Sequence, residues 1–149
     1  MVKSNRGAYY MRKIVLLLAS AGVLLAGEMA IDGRTGLTWQ DNRFVDSERV
    51  TYAQAEKLCK EMRLGKYDDW RIPTIKELIS IIDYKKYDPA ILDGFSIAES
   101  NYYWSSTQYM GDPDKVWGID FKDGATNANG KAYDRRIRCV RTTTPTATK

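Results

Sequence analysis

The spacing of apolar residues predicts an amphipathic helix over the segment 51–65. Thr51 and Gln54 stand three residues apart, as in a capping box, where the two side chains satisfy the first backbone N–H groups of a helix. Gly65 is a residue type that commonly ends a helix. The apolar positions between them share one helical face, so they are expected to pack against a core. These positions are Tyr52, Ala55, Leu58, Cys59 and Met62.

A second helix is predicted directly after Pro73, within the stretch DDWRIPTIKEL. Proline disfavours helical geometry at the residue before it, so the helix begins beyond it. Thr74 and Glu77 repeat the capping-box spacing, which gives the Glu77 carboxylate a structural role. Arg71 is expected to pair with Asp69, and the stretch is then a joint between elements rather than a catalytic centre. The apolar stripe of this helix consists of Ile75, Leu78, Ile79 and Ile82.

Short strands separated by turns are predicted for the second half of the chain. An early strand is expected at 37–39, and later strands at YYWSSTQY, VWGIDF and RRIRCVR, with turn signals such as Asn129-Gly130 between them. The segment 83–100 is predicted to be an irregular loop. Two helices and several antiparallel strands predict an α+β fold, with the two helices packed on a twisted antiparallel sheet.

The N-terminus has the organisation of a secretory signal. From Met11, MRKIVLLLASAGVLLAG places two cations before an apolar run that ends in small residues. This run is shorter than the roughly 20 residues of a membrane span. We predict a signal peptide at 1–27, with Met11 as an alternative start, and a secreted or periplasmic protein of the cell envelope. A retained anchor, which would place the domain at the membrane, is the alternative. The domain is predicted at 28–141, followed by a flexible tail at 142–149.

Charge and composition narrow the classes of function. Four of the 23 basic residues lie in the predicted signal, which leaves 19 basic residues against 19 acidic residues and a net charge near zero. A nucleic-acid partner is therefore not expected. The chain has no histidine, which excludes Ser-His-Asp and Cys-His catalysis within it, as well as His-ligated zinc. We expect neither a metal nor another cofactor.

The chain contains two cysteines, Cys59 and Cys139. An even number of cysteines in an exported chain favours one disulfide. Two buried thiols are the alternative. A thiolate nucleophile is not favoured, because no nearby residue in the sequence would lower the pKa of either thiol.

Aromatic residues around Trp104-Ser105-Ser106-Thr107 are the first candidates for a ligand-binding surface. Tyr102, Tyr103 and Tyr109 flank this stretch and are predicted to contact a ligand. An aromatic ring can stack on a sugar, but a tryptophan within such a motif more often fills the core. Core positions are accordingly expected for Trp70, Trp104 and Trp117.

Basic residues near the C-terminus are the second candidates. If the segment 135–141 is a strand, alternation places Arg136 and Arg138 side by side on one face, where they could bind a sulfate, phosphate or carboxylate. The alternative is a solvated sheet face, with ion pairs to Asp120 or Asp123. The other basic residues of this cluster are Lys131, Arg135 and Arg141.

Six stretches together resemble the Lcl C-terminal-like family, a bacterial domain, in their order along the chain. The resemblance covers 32–141 and implies a fold related to C-type lectins and to formylglycine-generating enzymes. Cys59 and Cys139 match positions that are usually paired in the family, which implies a disulfide. The six stretches are TGLTWQDN, TYAQAEKLCKEM, DDWRIPTIKEL, YWSSTQY, VWGIDFKDG and RIRCVR.

This resemblance implies recognition rather than chemistry, because relatives occur in surface and adhesin-like proteins, some linked to polyanionic sugars. We therefore expect an exported binding module that is not an enzyme. Its ligand would be a carbohydrate, such as an anionic glycan, or a protein outside the cytoplasm. One alternative is a structural or assembly domain of the cell envelope, which could form an oligomer. Another is a residual enzyme related to formylglycine-generating enzymes.

Calcium-dependent sugar binding is not supported by the sequence. The stretches Glu-Pro-Asn, Gln-Pro-Asp and Trp-Asn-Asp, which carry calcium binding in C-type lectins, are absent. The loop GDPDK offers Asp112 and Asp114, whereas calcium takes six to eight oxygen ligands. A surface turn is the expected structure of this loop.

Overall fold

The computed structural model of the protein describes residues 28–96 and 99–143. The predicted export signal at 1–27 lies outside the described residues, as does the part of the predicted tail at 142–149 that begins at 144. The order of the elements confirms the α+β class. The elements are β1 (Met29–Asp32), β2 (Leu37–Gln40), α1 (Phe44–Ser47), α2 (Tyr52–Glu61), α3 (Ile75–Ser80), β3 (Tyr102–Gln108), β4 (Lys115–Asp120), β5 (Thr126–Gly130) and β6 (Val140–Thr142).

The strands of the described residues form two small antiparallel sheets instead of the single predicted sheet. The first has the order β1-β2-β6 and the second the order β3-β4-β5. In the first sheet, Trp39 of the central strand stands opposite Ala30 on one side and Val140 on the other. The early and late parts of the domain therefore meet in one sheet.

The first sheet also includes the start of the predicted tail. Thr142 stands opposite Leu37 in the sheet, and the backbone N–H of Thr143 donates to the carbonyl of Gly36 at 2.8 Å. The hydroxyl groups of Thr38 and Thr143 lie 2.8 Å apart. Thr142 and Thr143, the first two residues of the predicted tail, are thus held by contacts with residues 36–38.

The second sheet separates two hydrophobic cores. Tyr103 and Ile119 stand opposite each other in β3 and β4 and contribute to a core beside α3, here named the α3 core. Trp104 and Val116 contribute to a core beside α2, here named the α2 core. Other members of the α3 core are Trp39, Leu78, Ile81, Phe121 and Val140. Other members of the α2 core are Ala55, Cys59, Trp70, Ile137 and Cys139, so Trp70 and Trp104 are core residues as predicted.

Both predicted helices are confirmed, and each begins with the predicted capping box, but α2 ends at Glu61, before the predicted stop at Gly65. At α2, the Thr51 backbone N–H donates to the Gln54 side chain at 2.9 Å. At α3, the Thr74 backbone N–H donates to Glu77 at 2.8 Å. The second helix is shorter than its apolar stripe suggests, because Ile82 leaves the helix and forms a β-bridge. None of the helices in 28–96 and 99–143 is long and apolar enough to cross a membrane.

A disulfide joins Cys59 of α2 to Cys139, directly before β6. The S–S distance is 2.03 Å and the Cα atoms lie 5.6 Å apart. Both residues are buried in the α2 core. The pairing that the family resemblance implies is confirmed, and the alternative of two buried thiols is wrong.

The predicted strand at 135–141 is formed only at its end. Arg135 and Arg136 make single β-bridges, with Val50 and Tyr103 respectively. Regular pairing begins only at β6. The segment before β6 forms backbone hydrogen bonds to β3 through Arg136 and to β2 through Cys139, so simple alternation does not describe where its side chains lie.

Candidate functional site

The three tyrosines predicted to contact a ligand do not form one surface. Tyr103 is fully buried in the α3 core, which corrects its predicted role. Tyr102 is half-buried, with its ring centroid 5.9 Å from the Arg135 guanidinium carbon. Tyr109 packs edge-on against the half-buried Trp117, with centroids 5.4 Å apart. Since Tyr102 and Tyr109 lie at opposite ends of β3, roughly 20 Å of strand separates them.

The two arginines predicted to bind an anion are structural. Arg136 is 7% exposed and forms an ion pair with Glu99. Arg138 is fully buried, and its guanidinium lies 3.0 Å from an Asp41 carboxylate oxygen and 2.8 Å from the Gln40 carbonyl. The predicted exposed face and the predicted partners Asp120 and Asp123 are therefore wrong. An anion could reach these guanidinium groups only by displacing carboxylates already in contact with them.

The joint before α3 contains two ion pairs, and one differs from the prediction. Arg71 pairs with Glu77 rather than Asp69, through nitrogen–oxygen distances of 2.8 and 2.7 Å. Asp69 instead accepts a hydrogen bond of 2.6 Å from Arg141 of β6. The partners are exchanged because the Arg71 backbone forms a bridge with Val140, which brings Arg141 beside Asp69. The interpretation of this stretch as a joint agrees with these contacts.

These ion pairs stabilise the charged form of both carboxyl groups. The hydrogen bond from Arg141 lowers the pKa of Asp69. Burial by itself would raise the pKa of Glu77, but hydrogen bonds from Arg71 and from the Thr74 backbone lower it below its usual value. Glu77 is thus both the cap of α3 and an ion-pair partner, as its predicted structural role requires.

A groove of about 550 Å³ lies between α2 and the joint, and we name it the α2 groove. It is larger than two other hollows of about 310 and 290 Å³. Its helical wall presents Tyr52, Glu56 and Lys60, which recur every four residues and therefore share one face of α2. The remaining lining residues are Trp70, Arg71, Ile72, Thr74 and Ser106.

Main-chain hydrogen bonds hold the joint wall of the α2 groove, and the disulfide holds its helical wall. Arg71 and Val140 exchange two backbone hydrogen bonds of 2.9 Å, which fix the joint to β6. The Ser106 N–H donates to the Pro73 carbonyl at 2.8 Å. The helical wall is attached through the disulfide of Cys59. Because these contacts do not involve the side chains that project into the groove, its shape exists before any ligand arrives.

The α2 groove has an apolar floor and a polar rim. Trp70 and Ile72 are 3% and 6% exposed, and the Trp70 indole N–H is already used by the Leu64 carbonyl at 3.2 Å. Burial, together with the neighbouring Glu56 carboxylate, raises the pKa of Tyr52, so its phenol stays neutral. A concave site with an apolar floor and a few polar groups is the usual form of a small-molecule site.

Three carboxylates line the hollow of about 310 Å³, but each lies beside a cation. An Asp32 oxygen lies 3.0 Å from the Arg34 guanidinium. The Lys86 ammonium lies 2.6 Å from Asp93 and 3.9 Å from Asp83. Burial alone would raise the pKa of Asp32, yet the hydrogen bonds from Arg34 lower it. A general acid for glycoside hydrolysis needs the opposite shift.

Metal coordination finds no support in the part of the chain that the structure describes. Its Cys, Asp and Glu side chains form no group of three or more placed to hold a metal ion. Asp112 accepts the Asp114 N–H at 2.9 Å and lies 3.3 Å from the Lys115 ammonium. It therefore closes a surface turn, the structure expected for the GDPDK loop.

The model of a protein family, the Lcl C-terminal domain, matches residues 28–141. The chain belongs to this family. The match to the Lcl C-terminal domain runs from the residue before β1 into β6, so it includes both sheets, both cores and the disulfide. No curated protein matches the chain.

The α2 groove of this Lcl C-terminal domain contains none of the residues first predicted to bind a ligand. One signal was present in the sequence, since Tyr52, Glu56 and Lys60 stand at helical spacing beside the apolar face of α2. The opposite wall has no such signal. It is formed by the bridge between Arg71 and Val140, two residues far apart in sequence whose contact depends on the assembled sheet.

Proposed function

We propose that this Lcl C-terminal domain is an exported, non-catalytic binding module and that the α2 groove is its ligand site. Its ligand is a carbohydrate or a protein outside the cytoplasm, and the scaffold is of the C-type-lectin-like kind. The observation that carries this proposal is the α2 groove itself, with fixed walls, an apolar floor and a polar rim. The interpretation of residues 1–27 as an export signal supports the location.

The side chains with catalytic potential also favour binding over chemistry. Cys59 and Cys139 are buried and bonded to each other, which does not suit the cysteine oxidation of formylglycine-generating enzymes. The carboxylates of the smaller hollow lie beside Arg34 and Lys86. An anionic glycan remains within this proposal, although Arg136 and Arg138 do not supply its site.

A groove-filling substitution tests the proposal. Ser106 is exposed and lines the α2 groove, so Ser106→Trp should fill the groove while the main-chain bond to Pro73 remains. The labelled full-length oxidised protein is applied to a glycan array and to immobilised envelope and medium fractions. We expect retention by wild type and by Ser47→Trp, an exposed control in α1, and its loss in Ser106→Trp.

Equal retention of all three proteins would refute the groove as the site. Absence of retention for wild type in every format would refute the binding function itself. Circular dichroism and the thermal midpoint of each variant establish that the substituted chains are folded.

A second candidate, a structural or assembly domain that binds another protein, is favoured by one exposed patch. Tyr84 and Tyr87 are 69% and 66% exposed and lie in the loop after α3. Tyr84 lies over Gly124, and the Lys122 ammonium lies 5.7 Å from the Tyr87 ring centroid. Tyrosine is enriched in protein interfaces.

A defined oligomer by light scattering that dissociates in Tyr84→Ser/Tyr87→Ser would favour this candidate, and a monomer at all concentrations would count against self-assembly.

A further inference from the structure

We infer that the α2 groove binds an uncharged saccharide rather than a sulfated or otherwise anionic one. This inference rests on the proposed function and specifies the class of ligand for the same site. It follows from the balance of charge around the groove and from the apolar character of its floor. It also follows from the ion pairs that three late arginines form within the fold.

Charges of both signs are balanced at the rim of the α2 groove. Glu56 and Lys60 contribute one negative and one positive charge from the same face of α2. The charge of Arg71 is compensated by the two contacts with Glu77. With the Arg71–Glu77 pair counted as neutral, one acidic and one basic side chain line the groove, so it offers a polyanion little net electrostatic attraction.

The rim charges can still take part in further hydrogen bonds, although the Glu56 carboxylate already interacts with the Tyr52 hydroxyl. The ion pairs among the described residues do not include one between Glu56 and Lys60. A carboxylate only accepts hydrogen bonds and an ammonium only donates them, whereas a sugar hydroxyl does both. Neighbouring hydroxyl groups of one sugar can therefore satisfy Glu56 and Lys60 together, with Thr74 and Ser106 as further hydroxyl partners.

The floor of the groove suits the apolar face of a sugar ring. The half-buried Tyr52 lines the groove beside Trp70 and Ile72, which are only 3% and 6% exposed, so the Tyr52 ring supplies most of the accessible apolar area of these three. A pyranose has the matching arrangement, since its C–H groups lie on the ring faces and its hydroxyl groups at the ring edge. The groove volume of about 550 Å³ also lies within the usual range for small-molecule sites, about 300–1,000 Å³.

Three arginines of the late basic cluster are occupied elsewhere in the fold. Arg136, Arg138 and Arg141 pair with Glu99, Asp41 and Asp69. All three arginines are buried. The basic residues near the C-terminus therefore form a smaller exposed basic surface than their number in the sequence suggests.

Titration calorimetry of the full-length oxidised protein tests the inference. The probes are uncharged trisaccharides built from glucose, galactose, mannose or N-acetylglucosamine, and a sulfated heparin hexasaccharide as the anionic comparison. We expect at least one uncharged trisaccharide to bind, with a Kd that changes less than about twofold between about 50 and about 300 mM salt, because no net ion pairing is involved. The sulfated probe should bind more weakly.

Matched variants of α2 locate the binding. Glu56→Ala removes a rim acceptor and should weaken the uncharged ligand about tenfold or more. Glu61→Ala makes the same change at an exposed position of α2 outside the groove and should leave the Kd unchanged.

Three results would overturn the inference. Tighter binding of the sulfated probe, with steep salt dependence and loss in Lys60→Ala, would refute the ligand class while the groove remained a binding site. Binding of an uncharged probe that is equal in Glu56→Ala and Glu61→Ala would place it elsewhere. Failure of every trisaccharide to bind would also refute the inference, and the proposed function would then depend on the retention experiment with Ser106→Trp.

Discussion

Removal of the disulfide should destabilise the domain by an amount that follows from its position in the chain. Cys59 and Cys139 are 80 residues apart. In the chain-entropy model, a cross-link that closes a loop of this length reduces the entropy of the unfolded chain by about 15 cal/mol/K, or about 4.5 kcal/mol at room temperature. Replacing both buried cysteines by alanine also removes two sulfur atoms from the α2 core, which costs about 1 kcal/mol each. The expected total, about 6.5 kcal/mol, is a large part of the stability of a typical domain, about 5–15 kcal/mol.

Urea unfolding followed by tryptophan fluorescence measures this loss. We compare wild type, Cys59→Ala, Cys139→Ala and the double variant. The cross-link is absent from all three variants, so the single variants should each lose about 5.5 kcal/mol and the double variant only slightly more. With a urea dependence of about 1.5 kcal/mol/M, the midpoint should fall by about 3 M or more. A loss below about 2 kcal/mol in the double variant would refute the reasoning, because loop closure would then not dominate.

Three further predictions concern single contacts. Glu77→Gln should cost about 1 kcal/mol at pH 7. Because its folded pKa is lowered, this difference from wild type should disappear in urea titrations as the pH falls below 4.5, and a pH-independent difference would contradict it. Gly124→Ala, at φ 80 and with its added carbon 2.7 Å from a neighbouring methyl group, should lower Tm by about 5–10 °C. Gly33→Ala has nothing within 4 Å and should change Tm little; equal shifts would disprove the strain. Arg138→Met should cost about 3–5 kcal/mol in denaturant unfolding, because it removes the cation beside the buried Asp41 carboxylate, and a loss below about 1 kcal/mol would argue against this role.

The helices could be predicted because the residues that specify each helix lie close together in the sequence. Thr51 and Thr74 each stand three residues before the side chain that completes the capping box. The residue at which α3 ends was harder to predict. Ile82 continues the apolar stripe, yet it pairs with Ile91 because the following loop returns beside it. Periodicity describes which residues are buried, and it does not distinguish burial in a helix from burial in a bridge.

The positions of the late arginines could not be derived from alternation in a strand. Arg136 and Arg138 were predicted on an exposed face, but their carboxylate partners, Glu99 and Asp41, come from distant parts of the chain. A buried arginine is tolerated only where the fold supplies such a partner. The same limitation applies to Asp69, whose partner Arg141 comes close only once β6 has joined the first sheet.

One strand of the second sheet has a consequence for how the domain melts. Tyr103 and Trp104 are consecutive residues of β3, yet one belongs to the α3 core and the other to the α2 core. Because β3 contributes to both cores, unfolding of one core removes packing partners from the other. The two cores should therefore unfold cooperatively. Trp39 in one core and Trp104 in the other should therefore report the same melting midpoint.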